Sequence, residues 1–171
     1  GLRAYLETDF YGSGGALRIR HAFVEYKGLL AGQTWSNFMD ENIIPATLDF
    51  EKPEAYVFAR HGMIRYRHDI NDNMYIGIAL EESRGTGQAP TAAGDFESPL
   101  PDLTGRYRYT GDWGHIQVSA FLASIKYRFA AGGTDDETLY GGNLSGQINF
   151  LKRDKILYQV AYGPGVGRYR G

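Results

Sequence analysis

The sequence predicts an all-β chain, an antiparallel transmembrane β-barrel of which about nine strands are present. Three observations predict it. Apolar and polar residues alternate at period two through most of the 171 residues. The connections between alternating segments divide into a short set and a long set. No apolar run approaches the roughly 18 residues that a membrane helix needs, and no segment has the length and period of a helix that could cover a sheet.

In segment 2–11, Leu2, Ala4, Leu6, Thr8 and Phe10 share one face, and Arg3, Tyr5, Glu7, Asp9 and Tyr11 share the other. Gly12-Ser13-Gly14-Gly15 predicts a turn. Segment 16–26 sets Leu17, Ile19 and Phe23 against Arg18 and Arg20, and Lys27-Gly28 makes a tight hairpin into a strand near 29–36. Residues 37–56 lose the alternation. They carry Asp40, Glu41, Asp49, Glu51 and Glu54 with Pro45 and Pro53, which predicts a long loop with room for a short helical turn. Alternation returns in 57–68, where Met63, Arg65 and Arg67 oppose Ile64 and Tyr66. After a turn at 70–73, strand 74–83 puts Met74, Ile76, Ile78 and Leu80 on one face.

Residues 84–101 have the Gly, Pro, Thr and Ala content of a loop. Strand 103–110 alternates Arg106 and Arg108 with Tyr107 and Tyr109, and 111–114 turns into strand 115–128, which groups Ile116, Val118, Ala120 and Leu122. A bulge near Ala123 would keep Lys126 and Arg128 off that apolar face. Beyond a loop at 129–138, strand 139–150 sets Tyr140, Leu144, Ile148 and Phe150 against Asn143, Ser145, Gln147 and Asn149. Residues 152–155 turn into a strand over 156–163, and 164–171 continues it or begins a loop.

The short connections are 27–28, 70–73, 111–114 and 152–155. The long ones are 37–56, 84–101 and 129–138, with 12–15 as a short exception among them. Short turns at one rim and long loops at the other is the outer-membrane arrangement, which makes 84–101 and 129–138 extracellular loops. The polar face, rich in Arg, Gln, Asn and Glu, suits a water-filled lumen. Phe10, Tyr109, Tyr140 and Phe150 near strand ends suit an interfacial girdle. Alternation alone leaves a second solution open. The apolar face could pack on another sheet in a soluble or surface β-sandwich, such as a carbohydrate-binding or adhesion module. The asymmetry of the connections favours the barrel.

Composition narrows the chemistry. With 23 Gly, 13 Tyr and 14% aromatics the bias is toward strands and turns. A net charge of −2 gives no nucleic-acid footprint, although Arg106-Tyr107-Arg108-Tyr109 interleaves base and aromatic. Cysteine is absent, so no disulfide, Cys-ligated metal or thiol nucleophile is available. His21, His61, His68 and His115 lack zinc-site spacing. Asp69–Asn73 begins like a calcium loop, but Met74 and Leu80 stand where its glycine and glutamate belong. Gly12–Gly15 leads into a strand pattern, so it is no dinucleotide fingerprint, and no GxSxG occurs. The expectation is therefore a non-enzyme without metal or cofactor. The chain opens inside an alternating pattern and ends just after another. Residues 1–171 thus read as one partial barrel domain, cut from something longer.

Four stretches carry a family resemblance. They are Leu17-Arg18-Ile19-Arg20-His21-Ala22-Phe23-Val24-Glu25, Leu30-Ala31-Gly32-Gln33-Thr34-Trp35-Ser36-Asn37-Phe38-Met39-Asp40, Leu48-Asp49-Phe50-Glu51 and Tyr162-Gly163-Pro164-Gly165-Val166-Gly167-Arg168-Tyr169. In this order they resemble the DcaP-like family of outer-membrane porins. The Gly-Gln-Thr-Trp-Ser stretch is also similar to general Gram-negative porins just before their constriction loop. The resemblance implies a homotrimer with about sixteen strands per subunit. It further implies a third extracellular loop folded into the lumen, here 37–56, and passage of small anionic solutes such as dicarboxylates. The expected surroundings are membrane lipid and lipopolysaccharide. The family's C-terminal aromatic is not matched here, in keeping with a middle portion of such a barrel.

Arg18 with Arg20, Arg65 with Arg67 and Arg106 with Arg108 each stand at i, i+2 on one strand face. With strands about 4.8 Å apart, they would make a basic ladder on the lumen wall that attracts anions. The loop's Asp40, Glu41, Asp49 and Glu51 would oppose it and set up a transverse field. The competing reading pairs these arginines with Glu7, Asp9, Glu81 and Glu82 as lumen salt bridges. Trp35 is expected to pack. His21 and Glu25 either face outward into a subunit contact or are turned inward by a bulge.

Overall fold

The computed structural model describes residues 1–46, 56–83, 94–130, 132–151 and 154–170. Ten strands lie among them: β1 Arg3–Asp9, β2 Arg18–Tyr26, β3 Leu29–Trp35, β4 Arg60–Asn71, β5 Met74–Glu81, β6 Gly94–Glu97, β7 Asp102–Gly111, β8 Gly114–Phe129, β9 Thr134–Phe150 and β10 Asp154–Tyr162. They form one antiparallel sheet in sequence order, except that β6 pairs with β8 beyond the end of β7. No described helix is long and apolar enough to cross a membrane, which says nothing of strands. The sheet is not closed on itself.

The short connections gather at one end. Lys27 and Gly28 both have positive φ, 49° and 83°, the geometry that matches a two-residue turn to the twist of its strands. A side chain at Gly28 would run into the carbonyl oxygen of Arg67, so glycine is required there. At the opposite end the connections are longer, including 36–59 between β3 and β4. Two expected loops are shorter than predicted. Residues 94–97 of the 84–101 segment form β6, and β9 begins at Thr134, inside 129–138. The break between β6 and β7 contains Pro99 and Pro101, which have no N–H to donate to the ladder; there, 98–102 oppose 123–125 of β8. The bulge expected near Ala123 is absent from β8, whose pairing with β9 runs unbroken from Gly114 to Arg128. Lys126 and Arg128 keep the outward phase and meet Asp136 and Glu97 at 3.6 and 2.8 Å.

A bulge does occur between β1 and β2. Glu7 pairs with His21 and Thr8 with Ile19, so Arg20 is the extra residue. It inverts the side-chain phase along β2. Arg18 and Ile19 keep the predicted sides, but His21, Phe23 and Glu25 turn to the face opposite Val24. Of the two placements expected for His21 and Glu25, the structure has the inward one, turned by a bulge, and not the outward one. His21 is buried with Nδ1 3.0 Å from Thr34 Oγ1, and Glu25 meets Arg3 at 3.7 Å.

The two faces of the sheet differ in what covers them. On the open face Ile64, Ile78, Leu80, Leu103, Val118, Leu122, Leu144 and Val160 are exposed. No second sheet lies over them among the described residues, so the sandwich alternative lacks its second layer. On the other face, Glu81, Asp102, Thr104, His115, Gln117, Ser119, Phe121, Asn143 and Ser145 are buried. They lie beneath the chain at 36–44, 56–59 and 166–169. Phe38, Met39, Ile43, Tyr56, Val57 and Tyr169 close a core there with Phe121 and Leu139.

Candidate functional site

The covered face is built to receive a polypeptide. Alternation puts hydroxyls and amides of β8 and β9 in a patch facing the 36–44 segment. Gln117 Nε2 donates to the Met39 carbonyl at 3.0 Å. Ser119 Oγ and Asn143 Nδ2 donate to the Phe38 carbonyl at 2.7 and 3.1 Å. Asn37 Nδ2 reaches the Gly77 and Thr104 carbonyls at 3.2 and 3.4 Å. Gly77 makes room for this, since a Cβ there would lie 2.9 Å from Asn37 Oδ1.

Three buried carboxylates lock the arrangement. Asp40 Oδ1 accepts from Arg108 Nη1 at 3.1 Å and from the Asn42 amide at 3.1 Å. Its Oδ2 accepts from Ser145 Oγ at 3.0 Å and lies 2.8 Å from His115 Nε2. Burial alone would raise the Asp40 pKa, but His115 and Arg108 more than offset it and hold the carboxyl below the ordinary range. Glu81 accepts from Ser36 Oγ and the Asn37 amide, both at 2.7 Å, and from Thr104 Oγ1 at 2.9 Å, with His61 Nδ1 3.2 Å away. Asp102 accepts from Arg168, Ser83 and Tyr169, at 3.1, 2.6 and 3.0 Å.

The six arginines expected as a ladder fall into different environments. Arg18 and Arg20 pair with Asp9 and Glu7 at 2.6–3.2 Å, the salt-bridge reading. Arg108 is buried on Asp40. Arg67 bonds Asp69 at 2.7 Å and lies over the Tyr75 ring, 4.0 Å from its centroid. Arg65 and Arg106 differ from all of these. Among the described residues neither has a carboxylate within ion-pair distance, and each has a buried Nε without a hydrogen-bond partner there. They are close enough for their charges to act on each other. Arg106 lies 5.3 Å from the centroid of the same Tyr75 ring, with its Nη1 3.5 Å from the Met39 carbonyl. Arg67, Gly77 and Arg106 are in register across β4, β5 and β7, so a residue without a side chain separates the cations.

The expected acidic row is only partly placed. Asp40 is spent on the lock rather than facing open space, Glu41 is exposed, and Asp49 and Glu51 lie outside the described residues. Trp35 packs between His21 and Phe58, at 5.0 and 4.5 Å, with Arg60 over its ring. Sequence reading missed the hydroxyl–amide bed and the roles of Glu81, Asp102, Arg168 and Tyr169. The available signal was the run of small amides and hydroxyls at alternate positions of β8 and β9, which are poor partners for bulk ions but good donors to main-chain carbonyls.

Comparison with known proteins agrees with this geometry. A family model described as the porin subfamily matches residues 2–171. The outer membrane channel DcaP of Acinetobacter baumannii superposes with a TM-score of 0.87 at 25% identity, over 99% of this chain and 49% of that one. The chain thus spans about half the length of the channel it matches. A search of curated proteins gave no match.

Proposed function

The chain belongs to the porin subfamily and to the bacterial outer membrane, and from that premise we propose that it walls part of a passive diffusion channel for small hydrophilic solutes, with anions preferred. The observation that carries the proposal is the pair of guanidiniums, Arg65 and Arg106, which have no carboxylate within ion-pair distance among the described residues and stand on the covered face beside the docked 36–44 segment. A cation without a carboxylate partner keeps its field available to a passing solute, whereas a paired one spends it locally. Small dicarboxylates carry two charges to match the two guanidiniums. The 37–56 segment acts as the constriction, and its Glu41, Asp49 and Glu51 supply the opposing charge. The open apolar face meets lipid, with lipopolysaccharide around the long-loop rim, and three copies associate. Nothing in this mechanism makes or breaks a covalent bond.

The test is a reversal-potential measurement on the full-length barrel in a planar bilayer under a salt gradient. Wild type should prefer the anion. Replacing both residues, Arg65→Gln with Arg106→Gln, should move the potential toward that of a non-selective pore. An unchanged potential would remove these two residues from the mechanism.

A further inference from the structure

The segment after β10 does something that neither the channel reading nor the barrel requires. Gly163 and Gly165, with φ of 137° and 94°, turn the chain back, and the Pro164 carbonyl accepts from the Tyr140 amide at 3.1 Å. The chain then enters the covered face as a 3₁₀ turn over Val166–Tyr169. Arg168 and Tyr169 are buried, Tyr169 completely. Both oxygens of Asp102 are used to receive them: Arg168 Nη2 on one at 3.1 Å, Tyr169 OH on the other at 3.0 Å. Arg168 also contacts Ser83.

The same turn grips the 36–59 connection from above. The Tyr169 carbonyl accepts from the Phe58 amide at 2.7 Å, and Val57 and Arg170 form an antiparallel bridge. The Tyr169 ring lies 4.8 Å from Phe38, 4.9 Å from Phe121 and 5.3 Å from His61, stacked on the last. Phe38 is therefore held on its carbonyl by the bed below and on its ring by Tyr169. Burying an arginine and an aspartate costs several kcal/mol per ion unless the pair is well made, and an apolar plug would cover the surface without that cost. The buried pair supplies a defined position rather than mere cover.

We infer that residues 164–170 are a strap that sets the position of the constriction segment, with Arg168 and Tyr169 as its positioning residues. The inference rests on the channel reading above. Releasing the strap leaves the buried Asp102 with Ser83 but without its cation and removes the backbone pairing of 57–58, so the segment that narrows the pore gains freedom.

The experiment compares open-channel current noise and the spread of single-channel conductance in full-length wild type, Arg168→Ala and Tyr169→Phe. A second set adds Val57→Cys with Arg170→Cys to each variant, recorded oxidised and reduced; bridge partners are close enough for a disulfide. Arg168→Ala should raise the noise several-fold and broaden the conductance, and Tyr169→Phe should do so less. Oxidation of the cysteine pair should quieten both, and reduction should restore the noise. Folded, heat-modifiable variants that conduct like wild type would overturn the strap and leave the channel reading intact. Wild-type protein that forms no channels would overturn both. If Arg168→Ala yields no heat-modifiable barrel, the result rests on Tyr169→Phe: redox-dependent noise supports the strap, and its absence sinks it.

Discussion

Arg106 and Arg108 stand two residues apart on the same face of β7, yet they belong to different regions of the molecule. Arg108 is buried against Asp40 among His115 and Ser145, in a region where the described charges are matched and the result is a held loop. Arg106, with Arg65 and Tyr75, lies where no described carboxylate comes within ion-pair distance of either guanidinium, and Glu41 and Glu25 act on Arg65 only from farther off. The difference teaches that the role of a lumen arginine is set by its register relative to the docked segment rather than by its charge. One pleat step along the strand separates an ion spent on a buried carboxylate from one that has no such partner among the described residues.

The sharpest way to break this contrast is Asp40→Ala. It removes the acceptor shared by Arg108 and His115 and leaves a buried cation unmatched, a loss of about 3 kcal/mol or more. Thermal unfolding of the full-length barrel should fall accordingly, and single-channel conductance should rise as the segment undocks. Unchanged conductance would show that Asp40 does not hold the loop.

Acid should produce a smaller effect of the same kind. The Asp40 carboxyl in the folded protein lies below its ordinary value, so the stability it contributes is complete above about pH 4, the unfolded-state value. That contribution is lost as pH falls through the lower folded value. Conductance should hold steady from pH 7 to about pH 4 and become noisy only below. Asp40→Asn should abolish that acid transition, and a transition centred near neutral pH would point to a different group.

The unmatched region predicts the reverse pattern. Arg65→Gln with Arg106→Gln should alter ion preference while leaving the unfolding temperature within the range of ordinary surface changes, about 0.5 kcal/mol. A large fall in stability would mean that these arginines are bonded after all. The smallest effect is expected for Arg18→Gln on β2. Arg18 is itself exposed to competing water, and its half-buried partner Asp9 keeps Arg20, so neither ion preference nor heat-modifiability should change measurably.

Much of the sheet was legible in the sequence because a half-buried strand writes its period into the residue types. Lys27-Gly28, the alternation in 74–81 and the amide run at 143–149 all appear where expected. The 94–97 strand was not legible, since it is short and followed by Pro99 and Pro101. The phase of β2 was misread at Phe23 and left open at His21 and Glu25, because one bulged residue reverses every later side chain and a bulge leaves no composition of its own. The lock was hidden for another reason. Asp40 lies 68 residues from Arg108 and 105 from Ser145, and no local pattern encodes such a pairing. The basic ladder was visible as six arginines, but which of them keep free charge depends on those distant carboxylates.

The bed on β8 and β9 grips main-chain carbonyls of Phe38 and Met39, while the Glu41 and Asn42 side chains project free of it. Grip and filter are thereby decoupled. Substitutions at the projecting positions change the charge the segment presents without loosening the anchor. The projecting positions can therefore vary in sequence while the scaffold beneath them stays the same.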